Sequence, residues 1–409
     1  MKIAVIGSGI SGLSAAYFLS KKHKVDLFEQ NDHFGGHSYT YEIKEEKKIV
    51  PVDLGFIVFN ELTYTNLIKF FNELNIPFEK SNMSFSVSIK DTNIEYGGSG
   101  FTGIFANKFN LFNFKFLKMI KEIISFYNYA PSLLNNETSV ETLGDYLKRS
   151  NLSKYFVEFH IIPMVAAIWS MPFSKAKEMP LNLFLRFFIN HGLFRLKNRP
   201  QWYTVTNRSR TYVKKILEKI SGEVFKNYRV NKISRSNDNV RISIGNEFID
   251  YDQVVLASHA DQSLNMLDEA TDEEKEILGK FNYVSNSAFL HTDENLMPLR
   301  KNAWSSWNSI TKNNETCITY WLNKLQNLKT NKNYFLTLNP LEIIDESKII
   351  KKVNFTHPYF NSENVKLQKD LYLLQGKKRT WFCGSYFGYG FHEDGLKSAL
   401  EVVKLFDEV

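Results

Sequence analysis

The stretch KIAVIGSGISGLSAAYFLSKKHKVDLFEQ, residues 2–30, decides how the rest of the chain is read. Ile3, Val5 and Ile6 form a continuous apolar run, the pattern of a strand buried on both faces. Gly7, Gly9 and Gly12 follow in G-x-G-x-x-G spacing, with Ser11 among them. The first glycine suits a tight turn, the second lets backbone approach a diphosphate, and the third permits close helix–strand packing. The next segment keeps Leu13, Ala16 and Tyr17 on one side of a helix whose N-terminal N–H groups favour phosphate. KVDLF, 24–28, reads as a second strand ended by Glu29, which can accept hydrogen bonds from ribose hydroxyls, and Gln30 follows. Three glycines alone make an ordinary loop; strand, turn, helix, strand and a distal acid make a dinucleotide site.

The rest of the chain bounds the setting. Its 409 residues are more than one small core needs, so two domains are expected. Apolar content of 43% and charged content of 23% are those of a globular protein. The 34 Phe and 20 Tyr stand out. A low-GC coding bias, which also enriches Lys, Asn and Ile, accounts for them; so does an apolar pocket or lipid-facing surface. A net charge of +7 suits an anionic membrane or nucleic acid, but the basic residues are dispersed and no nucleic-acid motif appears, which argues against nucleic acid. Cys317 and Cys383 are too few and too far apart for a disulfide framework, which fits a reducing cytoplasm. IIPMVAAIWSMPF, 161–173, is too short and proline-broken to span a bilayer. A cytoplasmic protein, soluble or peripheral on the inner membrane face, is expected, with its oligomeric state open.

Three further segments extend the nucleotide reading. GGHSYT, 35–40, brings a second glycine pair, Gly35 and Gly36, and VDLGFIVFN, 52–60, reads as a strand carrying Asp53 and Gly55. Residues 222–260 alternate like strands around the turns SNDN and GN, and end in the apolar run VVLAS, 254–258. WFCGSYFGYGFHEDGLKSAL, 381–400, reads as a strand, a glycine-rich turn and a helix from 395 with Leu396, Ala399, Leu400 and Val403 on one face. Its His392-Glu393-Asp394 run is not expected to hold a metal, because adjacent side chains diverge. Helix capping by Glu393 or Asp394, and a catalytic part for His392 or Glu393, both remain open.

Together these motifs resemble the flavin-containing amine oxidase superfamily. The resemblance implies an α/β fold, a Rossmann-type FAD-binding domain of glutathione-reductase-like build with an inserted α+β substrate domain. Residues 1–60, 205–285 and 376–409 would bind FAD, and 61–204 and 286–375 would form the substrate domain. Carried over residue by residue, Gly7, Gly9, Ser11, Gly12, Glu29 and Gln30 cradle the nucleotide. Gly35, Gly36, His37 and Ser38 approach the diphosphate, with His37 where the superfamily usually has Arg. Gly55, Phe56, Ile57 and Ser258 line the cofactor, and Val230 faces the adenine. Gly384, Ser385, Phe391, His392, Glu393 and Gly395 lie by the flavin ring.

Phrases such as PMVAAIWSMP, FLRFFINHGLF, VVLASHADQSL and GYGFHEDGLKSAL carry a narrower resemblance. They look like a bacterial flavoprotein subgroup often encoded beside cyclopropane-fatty-acyl-phospholipid synthases. Some of its members resemble the desaturase of methyl-branched and furan fatty-acid synthesis. The implied substrate is an unsaturated or methyl-branched fatty acyl chain, in a phospholipid, losing hydride to flavin N5. Amine or carotenoid-type oxidation, double-bond isomerisation and non-catalytic flavin or lipid binding are the rival readings. For a catalytic base the candidates are Glu61, His191, His392, Tyr386, His160 and His291; Trp169, Trp307, Tyr320 and Trp321 are expected as pocket walls. FNLFNFKFLKMIKEIISFYNY, 109–129, carries Lys115, Lys118 and Lys121 among aromatics. That suits an anionic membrane surface, or equally a helix with one core face and one solvated face. Arg186 and Arg195, flanking an apolar stretch, are expected to frame a port for an acyl chain.

Overall fold

Two sheets and a helical layer divide the work. The computed structural model describes residues 1–134, 141–169, 171 and 173–408. The first sheet is wholly parallel, with the order Val224–Lys226, Lys24–Glu29, Lys2–Ile6, Gln253–Leu256 and Thr380–Phe382. Its central strand Lys2–Ile6 is buried on both faces, as its unbroken apolar run requires. One face carries the glycine-loop helix Ile10–Leu19 and the C-terminal helix His392–Phe406, with Ile3, Val5, Leu13, Leu396 and Ala399 in one core. The other face packs against the antiparallel sheet Lys232–Arg235, Val240–Ile244 and Glu247–Tyr251. Both turns read from SNDN and GN close that sheet, the second through Gly245 at φ +58°.

The second large sheet is mixed and seven-stranded: Ile349–Tyr359, Asn282–His291, Phe335–Leu338, Glu315–Trp321, Trp307–Lys312, Phe85–Ile89 and Ile94–Gly97. Only the Phe85–Ile89 and Trp307–Lys312 pair is parallel. A layer of helices covers it, chiefly Phe114–Tyr129, Ile162–Trp169 and Leu181–Asn190, whose apolar faces meet in the largest core. The chain therefore crosses between the units several times, and the parallel sheet draws strands from residues 2 to 382.

Some element boundaries differ from the sequence expectation. The stretch 52–60 is not one strand: Lys48–Asp53 gives way to a bend at Leu54, and pairing resumes only at Phe59–Asn60. At Gly55 a Cβ would stand 2.2 Å from the His37 carbonyl oxygen, and the Phe56 N–H donates to that oxygen at 2.7 Å. The backbone has left the sheet to lie on the Gly35–Gly36 loop. The C-terminal helix starts at His392 rather than 395, because the Asp394 carboxylate accepts from the Phe391 N–H at 2.9 Å and closes its first turn. The aromatic segment 109–129 is a 3-10 turn over Lys108–Phe112 and then a helix, separated by Asn113, whose side chain accepts from the N–H groups of Lys115 and Phe116. Leu371 and Leu374, expected with the substrate domain, pack in the core beside the parallel sheet.

Candidate active site

The glycine loop and the C-terminal turn meet at one cavity of about 620 Å³. Gly7, Gly9, Ser11 and Glu29 line it from the first turn; Gly36, His37, Gly55, Phe56 and Ile57 line it from the second loop. Val230 and Ser258, and then Gly384, Ser385, Phe391 and His392, complete that part of the wall, and Gln30 stands at its edge. The two chain ends are locked together by helix contact, since a Cβ on Gly395 would stand 2.7 Å from the Ser11 hydroxyl.

Each glycine of the first motif has a different steric reason. A Cβ on Gly12 would lie 1.8 Å from the Gly7 carbonyl oxygen, so Gly12 serves helix–strand packing and does not line the cavity. A Cβ on Gly9 would meet nothing within 4 Å. Gly9 is thus dispensable to the packing of the chain itself, and its bare backbone faces a cradle that a side chain would fill. Gly36 closes the far side, where a Cβ would come 3.1 Å from the Gly9 Cα. Glu29 braces the loop: one carboxylate oxygen accepts from the Ser8 N–H at 3.0 Å and its hydroxyl at 2.6 Å, the other from the Asn31 N–H and amide at 2.9 and 2.8 Å.

Several expected ligands play other parts. Ser38 does not line the cavity; its hydroxyl meets the Tyr212 hydroxyl, and both stand 3.0 Å from His392 Nε2. Gly35 packs against Val213 and Ser38. Glu393 caps a different helix, Thr65–Glu73, accepting from the N–H groups of Asn66 and Leu67 at 2.9 and 3.0 Å. Gly395 is a helix–helix contact, as described. His37, in place of an arginine, is a wall residue whose Nε2 has no partner, and burial lowers it to about 4.

The base candidates also separate. Glu61 is exposed, hydrogen-bonded by the Tyr203 hydroxyl at 3.3 Å, and off the cavity wall. His160 bonds the Tyr96 and Tyr127 hydroxyls through its two nitrogens at 2.9 Å each. His291 is held by Thr337 and the Asp293 N–H, at 2.7 and 3.0 Å. Tyr386 lines the cavity as a wedge over Gly384, and burial raises its phenol well above the ordinary value, keeping it neutral. His392 is stacked on Phe56 at 3.7 Å, its Nε2 occupied by Ser38 and Tyr212, and burial lowers its pKa well below the ordinary value. It anchors the start of the C-terminal helix.

His191 differs from all of these. Its Nδ1 lies 2.9 Å from the Phe187 carbonyl oxygen, so Nδ1 carries the proton and Nε2 is the acceptor. Its ring stacks on Phe187 at 3.8 Å and lies 5.8 Å from Phe391 at the C-terminal turn. Burial lowers it to about 4, so it is neutral at pH 7. From there the cavity continues into an apolar wing walled by Met83, Met164, Ile168, Trp169, Trp307 and Tyr320, while Trp321 lies outside it. Tyr127 and the exposed Arg199 also border the cavity. Arg199, Met164 and Ile168 carry no motif that reveals them in sequence.

The site lies in a two-unit α/β fold with a Rossmann-like nucleotide-binding unit. Residues 5–74 match the NAD(P)-binding Rossmann-like domain family. Over nearly its full length the chain resembles solved structures at low identity. A conjugated-linoleic-acid-producing fatty acid isomerase from P. acnes superposes with a TM-score of 0.70 at 14% identity, covering 99% of this chain and 98% of that one. Cyclohexylamine oxidase from Brevibacterium oxydans IH-35A gives 0.69 at 13% identity, covering 99% of each. Putrescine oxidase, in its wild-type form bound to putrescine, gives 0.71 at 12% identity, with full coverage of both chains. At such identities the likeness establishes the fold, and the chemistry rests on this chain's own residues.

Proposed function

We propose that the protein is an FAD-dependent oxidoreductase that dehydrogenates an unsaturated or methyl-branched fatty acyl chain. The observation that carries this reading is the composition of the cavity wall. Among the described residues lining it, Glu29 is the only carboxylate, and it belongs to the nucleotide loop. A cationic amine is best held by a carboxylate at the reacting end, and no described residue places one there; the aromatic walls by themselves suit a cation or a hydrocarbon alike. The apolar wing as a whole suits a hydrocarbon, and the exposed Arg199 suits an acidic headgroup.

The residues present fit FAD. The N–H groups at the start of the helix Ile10–Leu19 suit the diphosphate, the open space at Gly9 gives it room, and Glu29 suits ribose hydroxyls that take the place of the Ser8 hydroxyl or the Asn31 amide. When bound, the flavin supplies a two-electron acceptor for hydride. The aromatic wing excludes water and aligns the chain. His191 Nε2 takes the proton from the carbon adjacent to the one that loses hydride. The alkene becomes a conjugated diene, having lost one hydride and one proton.

Anaerobic mixing of the FAD-loaded protein with a methyl-branched monounsaturated phospholipid tests this. Loss of the flavin band near about 450 nm, with a diene product two hydrogens lighter, is the expected result. Product of unchanged mass without net bleaching would make the protein an isomerase. Bleaching by putrescine or cyclohexylamine in place of the lipid would move it to the amine oxidases.

A further inference from the structure

The exposed phenylalanines of the described residues gather in one segment. Among the described residues, eight of the nineteen exposed large apolar side chains fall between 101 and 129, including four of the five exposed phenylalanines. Phe101 is 67% exposed, Phe109 79%, Phe112 82% and Phe114 85%. Monomeric soluble proteins seldom leave aromatics so gathered in water, and such patches mark interaction surfaces.

The helix Phe114–Tyr129 has the core face and the solvated face that one of the two readings of this segment expects. It buries Phe116, Met119, Ile123, Phe126 and Tyr127 in the core. At 100° per residue, Phe114, Leu117, Lys121 and Ile124 then point to the opposite side. The outward face is therefore apolar and basic together. Residues 101–134 contain four lysines, Lys108, Lys115, Lys118 and Lys121, and a single acid, Glu122. Glu122 is taken up by the Ser153 N–H at 3.1 Å and by Lys118 at 3.8 Å. No ion pair involves the other three lysines among the described residues. The far end of this helix meets the cavity, since Tyr127 lines it beside the exposed Arg199, and the exposed Arg195 and Lys197 border an adjoining hollow.

We propose that residues 101–129 form a docking face for an anionic lipid bilayer, with the phenylalanines in the acyl boundary and the lysines at the phosphates. Charge selects this occupant: an unneutralised basic rim around exposed aromatics complements an anionic membrane and repels a second copy of itself. No described helix is long and apolar enough to cross a membrane, so the contact is peripheral. The proposal concerns where the protein sits and does not rest on the chemistry assigned to the cavity.

Sedimentation of the full-length, FAD-loaded protein with phosphatidylglycerol-containing or pure phosphatidylcholine vesicles tests it. Partition at least about tenfold stronger into anionic vesicles is expected, weakening with salt. The triple change Phe109→Ser, Phe112→Ser, Phe114→Ser, and separately Lys115→Glu with Lys121→Glu, should each lower it about tenfold or more. The melting temperature and flavin spectrum should be unmoved, because these side chains are exposed. Absence of partition, equal partition into both vesicles, or a dimer that falls apart in the triple variant would overturn the proposal. None of these outcomes depends on whether the acyl chain is oxidised.

Discussion

The two halves of the cavity are made by different means. Around Gly7 and Gly9 the wall is backbone, fixed by the close contact of Gly12 with the Gly7 carbonyl and braced by the Glu29 carboxylate. Around His191, Ile168 and Trp169 it is side chain, projected from helices whose positions come from packing in the largest core. Backbone cradles depend on spacing along the chain and tolerate little change. Side-chain walls depend on which faces of distant elements meet, and they can be refitted to a new substrate with the fold intact.

The glycines give the strongest way to break that comparison. Gly12→Ala forces a Cβ to within 1.8 Å of a backbone oxygen that cannot move alone. It should cost more than the ~1–3 kcal/mol of ordinary overpacking and leave little folded protein, as circular dichroism and expression yield would show. Gly9→Ala, two turns of logic apart but three residues away, should keep the apoprotein's melting temperature and lose FAD affinity about tenfold or more, because its Cβ intrudes only on the ligand. Equal loss of folding in both variants would erase the distinction between packing and cradle glycines.

Acidification probes the same contrast. Burial lowers His37, His191, His259 and His291 to about 4, His160 and His357 to about 3, and His392 well below its ordinary value. Between pH 6.5 and 4 the unfolded chain binds protons that the native chain refuses, so stability falls as pH drops through that window. Asp53 and Asp394, raised by burial to about 6 and about 7, act in the opposite direction, because the native chain holds their protons where the unfolded chain has released them. Seven histidines outweigh two carboxyls. Each imidazole contributes up to ~1.4 kcal/mol per pH unit. Urea titrations of the FAD-free protein should therefore give an unfolding free energy several kcal/mol lower at pH 5 than at pH 7. A flat response would mean that these rings are solvated.

On the side-chain half, His191→Gln should lower turnover by about 10²-fold or more with the flavin spectrum unchanged. The acid limb of the pH–rate profile should vanish with it. A merely structural His191 would instead shift the melting temperature and leave the pH profile in place. The smallest effect expected is that of Glu61→Gln, a surface change that should leave both turnover and stability within ~0.5 kcal/mol of the parent.

The nucleotide half was legible because it is local. G-x-G-x-x-G, the strand on either side and the acid at Glu29 lie within 30 residues, and each restricts backbone within a few bonds of itself. The C-terminal turn was legible through its glycines, although Glu393 and Gly395 serve neighbouring helices. Sequence order could not say which of nine histidines face the cavity, nor which of those keeps a ring nitrogen free for chemistry. His160 and His191 sit on similar aromatic helices, and only the meeting of Tyr96 and Tyr127 at one, and of Phe187 and Phe391 beside the other, separates a tied imidazole from a free one. The same holds for residues 101–129, where a core face and a basic aromatic face were both readable. That the second face has no partner among the described residues is a property of the packed molecule. Spacing along the chain determined where a dinucleotide can lie; the packing of helices on the seven-stranded sheet decided what can lie beside it, because contact between remote side chains leaves no trace in their order.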